Sequence, residues 1–245
     1  MDLESLKVLY KIADKEFEEI QSDIIGSFAS APSPTENPVA IILGAQPGAG
    51  KTELEKEARQ GLMDNVVICN ADLFRDFHPF AKTILSKYEA FYPEITSDYA
   101  NARNIGFKDY CERNRLKYIL ETTFSSGERM NNTISELKQK GYRVEIKLLA
   151  VHPKLSFFGS QLRFEESKLR TGVGRLVPKS VHDSRFRLIR PTLVLVHKAG
   201  LYNSLQIYAR NIVVNHGSLS DGIHLVANNP VNALKVYQDV VEHKK

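Results

Sequence analysis

The sequence predicts an α/β fold, a mostly parallel sheet flanked by helices, and three observations carry that expectation. Short β-branched runs, "VAIIL" (39–43), "VVIC" (66–69), "YIL" (118–120), "VEIKLLAV" (144–151) and "IVV" (212–214), are separated mostly by segments of helical character. Runs this apolar, without strict alternation, suit strands covered on both faces by crossover helices. The first run ends in "ILGAQPGAGKT" (42–52), where three glycines and a proline crowd into eleven positions directly before a charged, helix-favouring segment. Finally, 245 residues at 42% hydrophobic and 25% charged can bury a full globular core.

Along the chain, apolar residues recur at Leu3, Leu6, Tyr10, Ala13, Phe17, Ile20, Ile24 and Phe28, in steps of three and four that predict one helix with a docking stripe. "APSPTENP" (31–38) then breaks it as a proline-rich connector. The expected organisation is therefore a preface over residues 1–38, packed on a single unit over 39–245. The aromatic group Tyr88, Phe91 and Tyr92 follows helix spacing and reads as core. "GVG" (172–174) is either a lid hinge or a simple turn.

Composition excludes several function classes. No apolar stretch approaches the roughly 18 residues that a membrane helix needs, and the opening "MDLES" is acidic where a signal peptide is basic. A cytoplasmic address with no membrane partner is expected. Cys69 and Cys111 lack CxxC or CxxH neighbours and read as buried thiols. His78, His152, His182 and His197 lack the i, i+4 pairing of a helical metal site, so no histidine-bound metal is expected. The net charge of +4 is too small to argue for nucleic acid, but residues 163–190 alone carry +5, with eight basic side chains against three acidic ones. That stretch is either a solvated, lid-like helical face or a patch facing phosphate.

The glycine-rich stretch approximates G-x-x-x-x-G-K-[ST], with Gly50, Lys51 and Thr52 in place, Ala45 at the leading position and Gly44 one residue early. Successive N–H groups there can wrap a phosphate at a helix N-terminus. Gln46, Pro47, Gly48, Ala49, Gly50, Lys51 and Thr52 are thus nucleotide-binding candidates, with Lys51 reaching the outer phosphates and the Thr52 hydroxyl ligating Mg2+. The expected nucleotide is ATP in a P-loop NTPase or kinase fold. In open parallel sheets chemistry gathers beyond the carboxyl ends of the strands. Asp72, three residues past "VVIC", either accepts a proton or holds metal-bound water there, or merely caps a helix. Glu121, Thr122 and Thr123 end the third strand on the same rim, and an acid ending a buried strand requires a partner.

"QPGAGKT", "NADLFRDFHP", "ILETT", "ISELKQKGYRVEIKLLAV", "QLRFEE", "GRLVPKSVHD" and "HKAGLYNSLQIYAR" occur in this order within a region spanning residues 1 to 211. In that order and spacing the chain resembles the zeta toxins of bacterial toxin–antitoxin systems, P-loop kinases that phosphorylate UDP-N-acetylglucosamine and so starve cell-wall synthesis. The resemblance implies Asp72 as the base that activates a sugar 3'-hydroxyl, Lys51, Arg163 and Arg175 as phosphate-binding catalytic residues, and Glu121 and Thr123 in the substrate pocket. It also implies ATP and Mg2+ as cofactors, a UDP-sugar as acceptor and a proteinaceous antitoxin as partner. Ala45 replaces the usual glycine, Ser125 replaces an arginine, and no acid in 97–115 falls at the family's sugar-contacting position. The alternatives are a kinase acting on another nucleotide sugar or small-molecule hydroxyl, and a non-catalytic ATP-binding module.

Overall fold

The computed structural model describes residues 2–215 and 218–242. The N-terminal segment forms α1 (Leu3–Leu9) and α2 (Asp14–Phe28). Next come β1 (Val39–Gly44), α3 (Lys51–Gly61), β2 (Val67–Cys69) and a 3₁₀ helix (Ala71–Phe77). They are followed by α4 (Ala81–Tyr88), α5 (Tyr92–Ile95), α6 (Ser97–Arg113), β3 (Tyr118–Thr122) and α7 (Gly127–Gln139). The chain continues through β4 (Arg143–Ala150), α8 (Pro153–Thr171), α9 (Lys179–Ala199), β5 (Ser204–Asn215), β6 (Ser218–Asn228) and α10 (Ala233–Val241).

The six strands make one sheet in the order β2-β3-β1-β4-β5-β6, parallel except for β6, which pairs antiparallel with β5. The centre is β1, flanked by β3 (Ile41 opposite Ile119) and β4 (Ile41 opposite Glu145). It is apolar on both faces because both are covered: Ala40 and Ile42 enter one core cluster with Tyr118, Val144 and Ile146, while Ile41 and Leu43 enter another with Leu54 and Ala58 of α3. On the α3 side Lys147 is buried among these residues, and its Nζ meets Glu57 at 2.6 Å and the Tyr208 hydroxyl at 3.3 Å. A buried ammonium is tolerable only with such partners.

Two expectations need correction. The single helix over residues 3–28 is two helices, broken at Tyr10–Ala13. Leu6 joins a satellite cluster with Ala81, Ile84, Tyr92 and Ile95, whereas Ile24 reaches the main core, so the apolar spacing persists although the helix does not. The sheet also extends past the expected strands: β5 begins at Ser204, well before "IVV", and β6 lies in a stretch rich in Ser, Asp, Gly and Asn. Tyr92 is buried and Tyr88 packs against the satellite cluster, but Phe91 is 44% exposed. Cys69 and Cys111 are free and buried. Gly172, at φ 78°, caps the C-terminus of α8, so "GVG" ends that helix.

Candidate active site

The parallel topology brings the carboxyl ends of β1, β2 and β3 to one rim. From β1 the chain enters a glycine loop that leads into α3, whose N-cap is Gly50 in the left-handed region (φ 96°) with no side-chain cap. The first N–H groups of α3 are therefore free of a capping side chain, which with the helix dipole makes an anion seat. Ala45 is buried and takes no left-handed angle, so alanine at the leading motif position needs no strained backbone. Gly48 carries the stricter demand. Its φ is 73°, and a Cβ there would lie 2.0 Å from Ser156 O and 2.5 Å from Ser160 N, because α8 lies directly against the loop.

The Gln46 side chain does not face this seat. It is fully buried, and its Nε2 donates to Val151 O at 2.8 Å and to Ser156 Oγ at 3.1 Å. Any contact it makes with a nucleotide is thus through its main chain. Ala49 likewise turns its methyl into the core beside Leu54 and Ala58. Beyond Gln46, Ser156 Oγ lies 2.9 Å from His182 Nε2, and His182 Nδ1 lies 3.1 Å from Asp183 Oδ1. The ring Nδ1–H donates to the Asp183 carboxylate while Nε2 meets the Ser156 hydroxyl. This chain of buried groups ties the loop to the starts of α8 and α9, the helices on either side of Arg175.

Asp72 stands in the first turn of the 3₁₀ helix after β2, where its N–H donates to the Asn70 side chain at 2.9 Å. Asn70 is therefore the helix cap, and the Asp72 carboxylate is left for other partners. Its Oδ1 accepts from Arg75 Nε at 2.9 Å and pairs with Arg175 at 2.5 Å. Its place in the cleft would push its pKa up, but the Arg175 and Arg75 guanidiniums outweigh this and hold it well below the usual carboxylate range. For Arg175, burial acts to lower the pKa and the Asp72 bond to raise it, with a net rise. Arg163 is lowered, by burial first and by Arg175 second, so the two arginines feel one another. Lys51 is lowered by burial, with Glu121, Arg163, Asp72 and Arg175 all acting on it, and its Nζ donates to Ala45 O at 3.2 Å.

Glu121, at the end of β3, is pushed up to about 7 by burial and by neighbouring Glu55, against the pull of Lys51. Thr123 follows it, its Oγ1 2.8 Å from Ser125 Oγ, which in turn accepts from Arg185 of α9 at 3.3 Å. A cleft of about 630 Å³ opens here, lined by Lys51, Asp72, Glu121, Thr123 and Ser125 and by residues of α6 and α7. The basic stretch thus divides between both of its readings. Arg163 and Arg175 face the rim, while Lys168 pairs with Glu89 and Arg190 with Glu242. Thr52 lies in the exposed first turn of α3, where its hydroxyl is the kind of oxygen donor a hard cation takes, and among the described residues no cluster of three His, Cys, Asp or Glu side chains could hold a metal by itself.

Sequence reasoning missed Arg210. It reaches the loop from β5, with Nε 3.6 Å from the Cβ position of Gly50 and NH1 3.5 Å from that of Gly159. Arg210 sits within β5, just past the end of its parallel pairing with β4, and the apolar run "IVV" marks only residues beyond it. His78 packs on Tyr99, and His197 contacts the Tyr202 hydroxyl and Val231 O.

The family model described as Zeta toxin matches residues 25–220. The chain belongs to the zeta toxin family. Toxin PezT of Streptococcus pneumoniae serotype 4 is 28% identical over 199 residues, 81% of this chain and 79% of that protein. A solved structure from the PezAT chromosomal toxin–antitoxin system of Streptococcus pneumoniae superposes with a TM-score of 0.82 at 24% identity, covering 96% of this chain and 91% of that one. The complex AvrRxo1-ORF1:-ORF2 with ATP superposes at 0.66 and 14% identity, over 93% of this chain and 71% of that one. Both likenesses show the fold, which in this zeta toxin family member is a kinase-like P-loop fold.

Proposed function

We propose that this chain is an ATP-dependent kinase that phosphorylates the 3'-hydroxyl of a UDP-sugar, with UDP-N-acetylglucosamine as the acceptor, and acts as a toxin against cell-wall synthesis. The observation that carries this reading is the gathering of Lys51, Asp72, Glu121, Arg163 and Arg175 on one rim between the glycine loop and a cleft. A bound ATP would lay its outer phosphates on the N–H groups of the loop, with Lys51 on the oxygens and Arg210 beside the loop. Thr52 would hold Mg2+, which would neutralise phosphate charge when bound.

In this reading Asp72 is ionised and accepts the hydrogen bond of the acceptor hydroxyl. As the acceptor oxygen bonds to the γ-phosphorus, the bond from that phosphorus to the bridging oxygen breaks, ADP departs, and the hydroxyl proton passes to Asp72. Arg175 couples the two halves of the step. While it pairs with Asp72 it keeps that carboxylate a weak base; turning to the γ-phosphate, it stabilises the transferring group and lets the carboxyl pKa rise. Arg163 adds a second cation from α8.

A second acceptor class is favoured by one observation: the α6 wall of the cleft carries Asn101, Asn104 and Lys108 and no carboxylate. Another nucleotide sugar or phosphorylated small molecule would suit that wall. The protein's partner is a proteinaceous antitoxin, a reading supported by a neighbour that belongs to a toxin–antitoxin system. No helix among the described residues is long and apolar enough to cross a membrane. The test is incubation with ATP, Mg2+ and a panel of UDP-sugars, read by mass, with Lys51→Ala as the blank. Transfer to UDP-N-acetylglucosamine supports the proposal; tight ATP binding with no phosphorylated acceptor contradicts it.

A further inference from the structure

The 3₁₀ helix that carries Asp72 is pinned on two sides. Phe74 is fully buried against the Phe28 and Phe107 rings, which fixes the helix to the main core. On the other side α5 holds the next two residues. Arg75 Nη1 donates to Pro93 O at 2.8 Å and to Thr96 Oγ1 at 2.7 Å, and the Tyr92 hydroxyl donates to Asp76 Oδ1 at 3.1 Å. The Thr96 hydroxyl is itself buried and donates to Tyr92 O at 2.7 Å, which leaves its oxygen oriented to accept from Arg75.

Arg75 thus has little freedom to leave Asp72. Its side chain is only 13% exposed, and while Nη1 serves α5, Nε meets Asp72 Oδ1 at 2.9 Å. Arg175 differs, because it stands between α8 and α9, outside either helix, and reaches Asp72 from there. Both guanidiniums meet the same oxygen, Oδ1. Among the described residues no hydrogen bond reaches Oδ2. A pair three residues apart on an exposed helix is worth little by itself. When its cation is anchored to a second helix, the pair sets the direction in which the carboxylate points.

We infer that Arg75 is the positioning residue of the transfer step: anchored to α5, it keeps hold of Asp72 through Oδ1 when Arg175 turns to the phosphate, so that Oδ2 is the oxygen presented to the acceptor hydroxyl. The inference rests on the kinase reading in taking Asp72 as the base, and goes past it in giving the two carboxylate oxygens different tasks. The acceptor proton passes to Oδ2 while Oδ1 keeps the Arg75 hydrogen bond. A carboxylate free to turn would be out of line for much of the time, and a misplacement of about 1 Å can cost about 100-fold in rate.

The test is a double-mutant cycle of Arg75→Met and Asp72→Asn, read as kcat and KM for transfer from ATP to UDP-N-acetylglucosamine, beside a thermal melt of each protein. Arg75→Met is expected to lower kcat about 10-fold to 100-fold and to leave the KM for ATP within about twofold. In the Asp72→Asn background the same change should lower kcat by less than about twofold, since no base is left to orient. A purely structural part would slow both backgrounds alike. Thr96→Val keeps the shape but removes the oxygen that anchors Nη1; it should slow transfer about threefold to tenfold, again only with Asp72 present, and it carries the test if Arg75→Met does not fold. Arg75→Lys, which keeps charge without the fork, should recover part of the loss. Unchanged kcat in Arg75→Met or Thr96→Val, or equal losses with and without the Asp72 carboxylate, overturns the inference alone. No transfer by wild type, or wild-type transfer by Asp72→Asn, would contradict the kinase reading with Asp72 as base and take this inference with it.

Discussion

Replacing Arg175 with alanine separates a structural from a catalytic part for the rim arginines. The side chain of Arg175 is 28% exposed and that of its partner Asp72 is 44% exposed, so the pair is well screened by solvent. Exposed pairs of this kind contribute at most about 1 kcal/mol to stability, and in a domain of this size that moves the melting temperature by only about 2–4 °C. Removing one preorganised donor from a charge-laden transition state costs far more, about 100-fold to 1,000-fold in turnover. Arg175→Ala should therefore melt within a few degrees of wild type, while kcat for phosphoryl transfer falls by two to three orders of magnitude and the KM for ATP moves much less. Arg175→Lys, which keeps charge without the planar fork, should recover part of the loss. The assay is steady-state transfer at saturating ATP beside a thermal melt. A loss of stability matching the loss of rate, or an unchanged kcat, would refute the reasoning.

Three further outcomes follow from the geometry. Gly48→Ala should abolish nucleotide binding and lower stability by about 2 kcal/mol or more, since the new methyl meets Ser156 O at a left-handed backbone angle; an ATP titration and a denaturant melt report both effects. His182→Ala breaks the buried chain from Gln46 to Asp183, leaves Ser156 without its ring partner, and should cost about 1–3 kcal/mol together with a raised KM for ATP. The third outcome concerns pH. Glu121 is raised from 4.5 to about 7, so the folded state holds its proton more tightly than the unfolded chain. That contribution is complete below about pH 4.5 and is lost as pH rises through about 7, an effect of about 1–3 kcal/mol that Glu121→Gln should remove from the pH dependence of unfolding.

Much of the candidate rim was legible because its physics is local. A glycine loop between an apolar strand and a charged helix, and acids just past two further strands, are patterns along the chain that the parallel sheet then lays side by side. Charge density marked the stretch 163–190 as a whole, and only the family resemblance singled out Arg163 and Arg175 among its eight basic residues. The remainder depends on contacts between distant segments. The break between α1 and α2 is invisible in apolar spacing because each half docks on a different cluster. The edge strand β6 is polar and lies outside the buried runs that mark the central strands. Gln46 looks like a loop residue in sequence, yet α8 arrives from more than a hundred residues away to draw its side chain inward. Asn104 and Lys108 belong to no motif along the chain, and only the fold sets α6 beside β3 and α7 around one cleft.

Phosphate transfer to a UDP-sugar by Asp72→Ala, compared with wild type in a single turnover from labelled ATP, shows whether this carboxylate moves the proton of the acceptor. If it does, the variant keeps ATP affinity within about a factor of two of wild type and transfer slows by about 100-fold to 10,000-fold. Transfer at the wild-type rate would contradict it, because the carboxylate could then have no part in moving the proton of the acceptor.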